Sequence, residues 1–409
     1  MLYSQKILNI KIDDKEEVKN FTEKAEQLKQ DIENNDDYRA LKIAFENNDL
    51  SEIKSFVNNL KTKFNKLLVI GIGGSSLGAK TLTSLVENNN VQFLENIDNE
   101  KVELLFNNLD YKNIAILTVS KSGKTIECIS QTLILMNIYI QKFGEQSIKE
   151  HFFFLTENKE SPLTKLAQKF SIQVIEHDKN IGGRFSYLSN VGLIPACFAG
   201  LNIANIRNGA KSAINYFLEG KNFIKDICCG QNLLYKNGVV GNILMTYHER
   251  LNCLLEWYRQ LWAESLGKDG FGTLPIPAVG TIDQHSQLQL YRGGKKNLFF
   301  TFFIKKNDPN SLKINNTFIE DFTYLNGKTL NDIMQVEAKS TIEILNRSNL
   351  PIRVFEYDDL NETLMSQIMM QFILETIVIG KMNNVNPFGQ PNVEAKKELA
   401  RDIYKNWEK

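Results

Sequence analysis

The chain has no excess of charge of either sign: 48 basic residues meet 48 acidic ones, and the formal net charge is zero. That excludes the global electrostatic footprint of a nucleic-acid binder or a polybasic membrane binder, so any anion site must be local. Cysteine is sparse. Cys128, Cys197, Cys228, Cys229 and Cys253 are odd in number and form no CxxC pair, which argues against a disulfide framework or a zinc ribbon and for a reduced, cytoplasmic setting. Only eight prolines punctuate the 409 residues and no linker is rich in Pro and Ser, so the halves of the chain are expected to pack closely. Long apolar runs are missing too. The N-terminus, MLYSQKILNIKIDDKEE, turns charged before an apolar stretch develops, and no later run reads as the roughly 18–20 apolar residues of a membrane span. The expectation is a soluble, unprocessed protein.

What the chain has is length and periodicity. Its 409 residues exceed one ordinary hydrophobic core and point to about two to three domains; a hydrophobic content of 43% is enough to fill them. Residues 1–46, dense in Lys, Glu, Asp and Asn, read as an N-terminal helical arm laid against the body, and residues 47–66 as a further helix. From there short β-branched or aromatic runs, LLVIGI, VQFLENI, NIAILTV, HFFFLTE and IQVIEH, alternate with helical stretches such as 125–143. That is the pattern of βαβ units and a parallel sheet covered on both faces. Beyond an apolar helical stretch closing near Gly200, VVGNILMTY, NLFFTFFIKK and PIRVFEYDD repeat the logic, with an amphipathic helix through ERLNCLLEWYRQLWAESLG. The expected division is one α/β domain at 47–205, a second at 206–382 and a C-terminal helical segment at 383–409, with a ligand cleft between the α/β halves.

Two loops have the build of phosphate sites. In LLVIGIGGSSLGAKT, residues 67–81, a strand breaks into Gly71, Gly73, Gly74, Ser75 and Ser76 before a helix begins, so amides, hydroxyls and a helix N-terminus can face one point. It misses both nucleotide registers. GxGxxG from Gly71 needs glycine where Ser76 stands, and GxxxxGK[ST] from Gly73 meets Ala79 before Lys80. The second loop, SKSGKTIE at 120–127, gathers Ser120, Lys121, Ser122, Lys124 and Thr125 between strand and helix, and its GKT is out of register because the first glycine of a Walker loop falls on Thr118. Hydroxyls and amides suit a phosphate monoester, although a helix cap without a ligand accounts for this loop equally well.

Catalysis would need acids, bases and charge stabilisers facing the same cleft. NIGGRFS at 180–186 presents Arg184 after two glycines, and QLWAESLGKDG at 260–270 sets Gln260 and Glu264 four residues apart, on one helix face. GTIDQHSQLQL at 280–290 carries His285 among polar residues in a turn that starts a helix, where it can exchange protons near neutral pH. Lys397, in NVEAKKELA, lies on a charged helix. Singly, each has an ordinary explanation: a surface-loop arginine, a solvated helix carboxylate, a capping histidine, a lysine on a wet face.

Together they do not. GIGGSSLGA, VSKSGKTIE, GGRFS, QLWAESLGK, GTIDQHSQLQL and FGQPNVEAKK occur in an order that resembles the phosphoglucose isomerase family of the two-domain sugar-isomerase-fold superfamily, from near residue 70 to about residue 400. The resemblance implies two three-layer αβα sandwich domains, flavodoxin-like with parallel sheets, plus N- and C-terminal helical extensions. It implies a metal-free reaction without a cofactor, the interconversion of glucose 6-phosphate and fructose 6-phosphate through a cis-enediol in glycolysis and gluconeogenesis. Residue by residue, it implies that Gly74 and Ser75 line the sugar site and that Ser120, Lys121, Ser122 and Thr125 hold the sugar phosphate. Arg184 would stabilise the enediolate, Glu264 would move the proton between C1 and C2, His285 with Lys397 would open the ring, and Gln260 and Gln390 would bind substrate. Asn392 stands where the family commonly has glycine, and Lys397 is preferred to Lys396 by counting from Gln390 and Glu394. The partners implied are a phosphosugar, neither nucleic acid nor membrane, and a second copy of the chain in a homodimer whose His285 reaches across the interface. The short chain further implies that insertions used for dimer embrace are reduced or absent. Two rival readings are a phosphosugar-binding regulatory protein of the same fold, which needs none of Arg184, Glu264, His285 and Lys397 in register, and a P-loop nucleotide enzyme, which the failed registers weaken.

Overall fold

Apolar side chains on both faces of short strands dictate the architecture seen in the computed structural model, which describes residues 1–87, 90–221 and 223–407. β2 (Lys66–Ile70), β3 (Val91–Leu94), β4 (Ile114–Val119), β5 (Phe152–Thr156) and β6 (Gln173–Glu176) form an all-parallel sheet in the order β3-β2-β4-β5-β6. In β2, Leu67 and Val69 enter the largest core, whereas Leu68 and Ile70 join a second cluster with Cys128, Leu135 and Met136 of the helix Ile126–Phe143. Successive strand side chains point to opposite faces, so burial on both faces gives a continuous apolar run in place of alternation. Counted in chain order the sheet is wound 2-1-3-4-5, and its switch point lies between β2 and β4, where a crevice opens beyond the carboxyl ends of the strands. Loops 71–76 and 120–125 leave β2 and β4 and so border that crevice.

The second sheet, β1-β10-β9-β7-β8, repeats this winding through β7 (Gly241–Thr246), β8 (Leu274–Val279), β9 (Leu298–Lys305) and β10 (Ile352–Tyr357). Its far edge is not parallel. β1 (Tyr3–Leu8) runs antiparallel to β10, with Tyr3 opposite Tyr357. The stretch expected to be wholly helical therefore opens as a strand and only then forms the helix Lys15–Asn34, capped by Asp14. Arg353 ties β1 to the core: its Nε donates to Gln5 Oε1 at 2.7 Å, and its two Nη atoms grip the Glu375 carboxylate at 2.6 and 3.0 Å, with both charges buried. β8 is also absent from the strands expected from the sequence, since LPIPAV contains two prolines. It lies at the other edge and pairs only with β7. Leu274 N donates inward to Val240 O, so the alternating Pro275 and Pro277 leave their missing N–H on the unpaired side.

The helix Glu362–Met382 corrects another expectation. It is long and apolar enough to cross a membrane, although no run was expected to be; 94% of its apolar window is buried inside the protein. It is the central core helix, packed on the helices Ile203–Leu218 and Asn252–Leu266. The largest core runs without a break from β2 through this helix to β9 and β10, so the two sheets share one interior.

Candidate active site

Three segments converge beyond the end of β2: the loop 71–76, the 3-10 turn Gly183–Leu188 and the helix Asn252–Leu266. They approach at backbone distance. A Cβ on Gly74 would lie 2.4 Å from the carbonyl carbon of Gly183 and 2.6 Å from Arg184 N, and one on Gly73, whose φ is +58°, would lie 2.7 Å from Gln260 Nε2. Glycine is required at position 74 because the backbone of residues 183–184 occupies the space a side chain would need, and at position 73 because its φ lies in the left-handed region. Ser186 Oγ reinforces the junction by donating to Gly74 O at 3.1 Å. Gly74→Ala is expected to cost about 1–3 kcal/mol through overpacking and to lower Tm in calorimetry; an unchanged Tm would show that the 183–184 backbone can yield.

Arg184 is the hub of the convergence and is 5% exposed. Its Nε donates to Ser265 Oγ at 2.7 Å, Nη1 to Glu264 Oε2 at 3.3 Å, and Nη2 to the carbonyls of Pro387 at 2.5 Å and Gly389 at 3.1 Å. Burial pulls its pKa down and the Glu264 carboxylate opposes the shift, but a guanidinium keeps its proton in any case. Trp257 Nε1 fixes the Arg184 backbone by donating to its carbonyl at 3.2 Å. Gln260 and Glu264 share a helix face as their spacing predicts, with Gln260 Nε2 donating to Glu264 Oε1 at 2.9 Å. The other amide atom, Gln260 Oε1, is buried with no hydrogen-bond partner among the described residues and offers an acceptor to an incoming hydroxyl. Glu264 itself is 26% exposed. One carboxylate is thus oriented by an amide on one oxygen and a fixed cation on the other, at the edge of solvent. Such a group can take and return a proton while the cation stabilises the negative charge that develops.

The second loop is built as an anion cradle. Ser120 is buried, and its hydroxyl pairs with that of Thr125 at 2.9 Å. Thr125 immediately precedes the helix Ile126–Phe143 but makes no side-chain cap bond to it, so the first helical amides and the N-terminal dipole remain available to an anion. Ser122 is exposed and accepts from Lys124 N at 3.3 Å. Lys121 behaves differently from the expected phosphate ligand. Its Nζ donates to the carbonyls of Lys179 at 2.8 Å and Ile181 at 2.9 Å and lies 3.7 Å from Glu157; burial lowers its pKa, with Glu157 opposing. The ammonium braces the segment that leads into Arg184.

The remaining expected residues lie further out. Gln390 is half-buried at the start of the helix Pro391–Lys405, directly after the 386–389 segment that Arg184 holds, and Lys397 lies further along that exposed helix. His285 is not in a turn before a helix but inside the helix Gly280–Gly293, on its exposed side. Among the described residues no hydrogen bond or ion pair joins it to Arg184 or Glu264. One chain therefore unites Gly73, Gly74, Arg184, Gln260 and Glu264 and leaves His285 outside. Sequence reading missed Ser265 and Lys268 as members of this assembly; their only signal was a place in the same motif as Glu264.

Two cavities elsewhere lack this chemistry. One of about 20 Å³, lined by residues including Gln231, Trp262 and Phe299, has no charged lining group. A wide cleft of about 840 Å³ at the carboxyl edge of the second sheet includes Arg250 and Lys305, but Arg250 is paired with Glu87 and Lys305 with Asp308 at 3.3 Å.

The sequence model of the family described as phosphoglucose isomerase matches residues 46–409. The chain is 33% identical over 358 residues to a probable glucose-6-phosphate isomerase of Methanococcus maripaludis, covering 85% of this chain and 80% of the relative. It is 31% identical over 342 residues to glucose-6-phosphate isomerase of Thermus thermophilus, covering 82% of each. The crystal structure of a glucose-6-phosphate isomerase from Chlamydia trachomatis superposes with a TM-score of 0.83 at 20% identity, over 99% of this chain and 88% of that one, and shows the shared fold.

Proposed function

The chain belongs to the phosphoglucose isomerase family, and from that premise we propose that Glu264 and Arg184 carry out the reversible isomerisation of glucose 6-phosphate and fructose 6-phosphate. The observation that carries the assignment is the carboxylate of Glu264 held between Gln260 at 2.9 Å and Arg184 at 3.3 Å, beside a loop whose Gly74 leaves no room for a side chain. Starting from the open-chain aldose, Glu264 takes the proton from C2. The electron pair moves onto the carbonyl oxygen at C1, giving a cis-enediolate beside the guanidinium. The carbon-bound proton then returns to C1 from the same carboxyl group, the hydroxyl proton of O2 passes to O1, and the C2 oxygen becomes the ketone, so the protons balance and no oxidant or reductant is consumed. Gly74, Ser75, Gln260 and Gln390 line the sugar, and Ser120, Ser122, Thr125 and the amides of their loop hold the phosphate. Lys121 acts on the phosphate through the loop it braces.

Ring opening is assigned to His285 with Lys397, the histidine supplied by the partner in a homodimer. What supports this is that His285 is exposed and apart from the Glu264 cluster of its own chain, flanked on the same helix by Ile282 and Leu290 at 62% and 63% exposure. An irregular excursion at 306–329 adds Leu312, Phe318 and Tyr324 to the uncovered apolar surface. A phosphosugar and a second copy of the chain are then its partners.

The direct test is a dehydrogenase-coupled assay converting fructose 6-phosphate to glucose 6-phosphate without added metal. Tight binding of either sugar with no turnover would favour the regulatory reading instead. Two inactive variants, Glu264→Gln and His285→Asn, unfolded together and refolded as a mixture, are expected to recover about a quarter of wild-type turnover if sites are shared across a twofold dimer. No recovery, with heterodimers demonstrated by mass, would place His285 outside the partner's site.

A further inference from the structure

We infer that Lys268 is a positioning residue of this site, locking the segment that delivers Gln390 and the C-terminal helix. The inference rests on the isomerase reading above and adds a residue to it. Lys268 follows the end of the helix Asn252–Leu266, four positions after Glu264, and its Nζ donates to the carbonyls of Asn386 at 2.6 Å and Phe388 at 2.8 Å. Arg184 takes the carbonyls between and beyond, Pro387 and Gly389. Four successive carbonyls are thus held alternately by two cations. Hydrogen bonds from a charged donor are the stronger kind. The segment is otherwise held by the Phe388 ring, which packs edge-on to Tyr38 and tilted against Phe185, and by a local turn in which the Asn386 side chain accepts from Phe388 N, while Gly389 has a φ of +70°. Gln390 and the helix Pro391–Lys405 begin where the grip ends.

The two cations are crowded together. Burial and the Arg184 charge pull the Lys268 ammonium down to about 8, against the opposing charges of Asp269 and Glu264. Such proximity is tolerated because the 386–389 carbonyls lie between the two groups and accept from both. Without Lys268 the segment would keep its bonds to Arg184 and the packing of Phe388 but lose the donor to the Asn386 and Phe388 carbonyls. Arg184 and Glu264 would stay in place through Ser265, Trp257 and Gln260, so the proton-transfer pair would outlast the loss while Gln390 drifts.

The test compares Lys268→Met and Lys268→Arg with wild type, by steady-state kinetics and by hydrogen exchange across residues 384–399. Lys268→Met is expected to raise KM for fructose 6-phosphate about tenfold or more, with a smaller fall in kcat, the pattern of lost binding with the chemical step retained. Exchange across 384–399 should quicken while β2 and β4 amides stay protected. Lys268→Arg, which can still donate to two carbonyls, should restore most of both and keeps the comparison informative should the methionine variant fold poorly. A methionine variant with wild-type KM, or one whose segment loosens without changing KM, overturns the inference. Wild type without isomerase turnover would overturn the isomerase reading instead, and the exchange comparison would still decide whether Lys268 holds the segment.

Discussion

Replacing Glu264 by glutamine is expected to lower kcat for fructose 6-phosphate by about 10²–10⁴, the usual range for loss of a general base, while KM stays within a few-fold. The substitution keeps the size of the side chain and an oxygen that can accept from Arg184 Nη1. It also supplies an amide N–H facing Gln260, whose Oε1 is buried without a partner and can accept it after the Gln260 amide turns over. The geometry of the site is therefore preserved while its proton acceptor is removed. Arg184 retains Ser265, Pro387 and Gly389, so the variant should fold with a near-normal Tm. The decisive readout is exchange of the C2 hydrogen of glucose 6-phosphate into heavy water, followed by proton NMR. Loss of exchange in step with turnover locates the defect at proton abstraction; turnover within about tenfold of wild type would remove Glu264 from the role of base.

Much of the fold was legible because burial on both faces leaves a strong signature. β2, β4, β5, β7, β9 and β10 are buried almost throughout, as a covered parallel sheet requires; β3 and β6, at the edges of the first sheet, were legible from their β-branched and aromatic residues although Gln92, Gln173 and Glu176 are exposed. The two strands left unread are both edges. β1 has the alternating polarity of a half-wet strand, and its partner lies some 350 positions away at Tyr357, a pairing no local pattern announces. β8 carries two prolines that argue against a strand until its single-sided pairing is known.

The site divides the same way. Gln260 and Glu264 were legible because helical spacing fixes which side chains meet, and the glycines at 73 and 74 because a strand-to-helix turn next to a ligand calls for them. Directions of long side chains were not. Lys121 lies in a phosphate-like loop, yet its four-carbon stem carries the charge to the 179–181 carbonyls. Lys268 binds backbone more than a hundred positions away, at Asn386 and Phe388. His285 was correctly placed among polar residues but sits within a helix, because the Asp283 carboxylate accepts from Val279 N at 2.6 Å and starts that helix earlier than the polar run suggests.

Arg184→Lys is expected to cost far more than a charge-conserving change suggests, with kcat lower by about 10²–10³, the range seen when one preorganised charge-stabilising donor is lost. The reason is the shape of the donor. Arg184 makes four contacts in four directions, to Ser265, Glu264, Pro387 and Gly389, and a guanidinium can do so because its five N–H groups are fixed in a plane. A lysine ammonium offers three donors from a single point, so it can satisfy one flank of the site but not both. If it stays with Glu264, the Pro387 and Gly389 carbonyls lose their donor and Lys268 is left as the one cation on the segment leading to Gln390; if it follows the carbonyls, no cation faces the enediolate. Either choice weakens the transition state. Arg184→Met should fold less stably still, since it leaves the buried Ser265 hydroxyl and the buried Pro387 carbonyl without their donor, at about 1–3 kcal/mol each. The comparison is made on kcat with saturating sugar phosphate and on Tm for both variants. A lysine variant with wild-type kcat would mean that a nearby positive charge suffices and that the fork of Arg184 serves the fold alone.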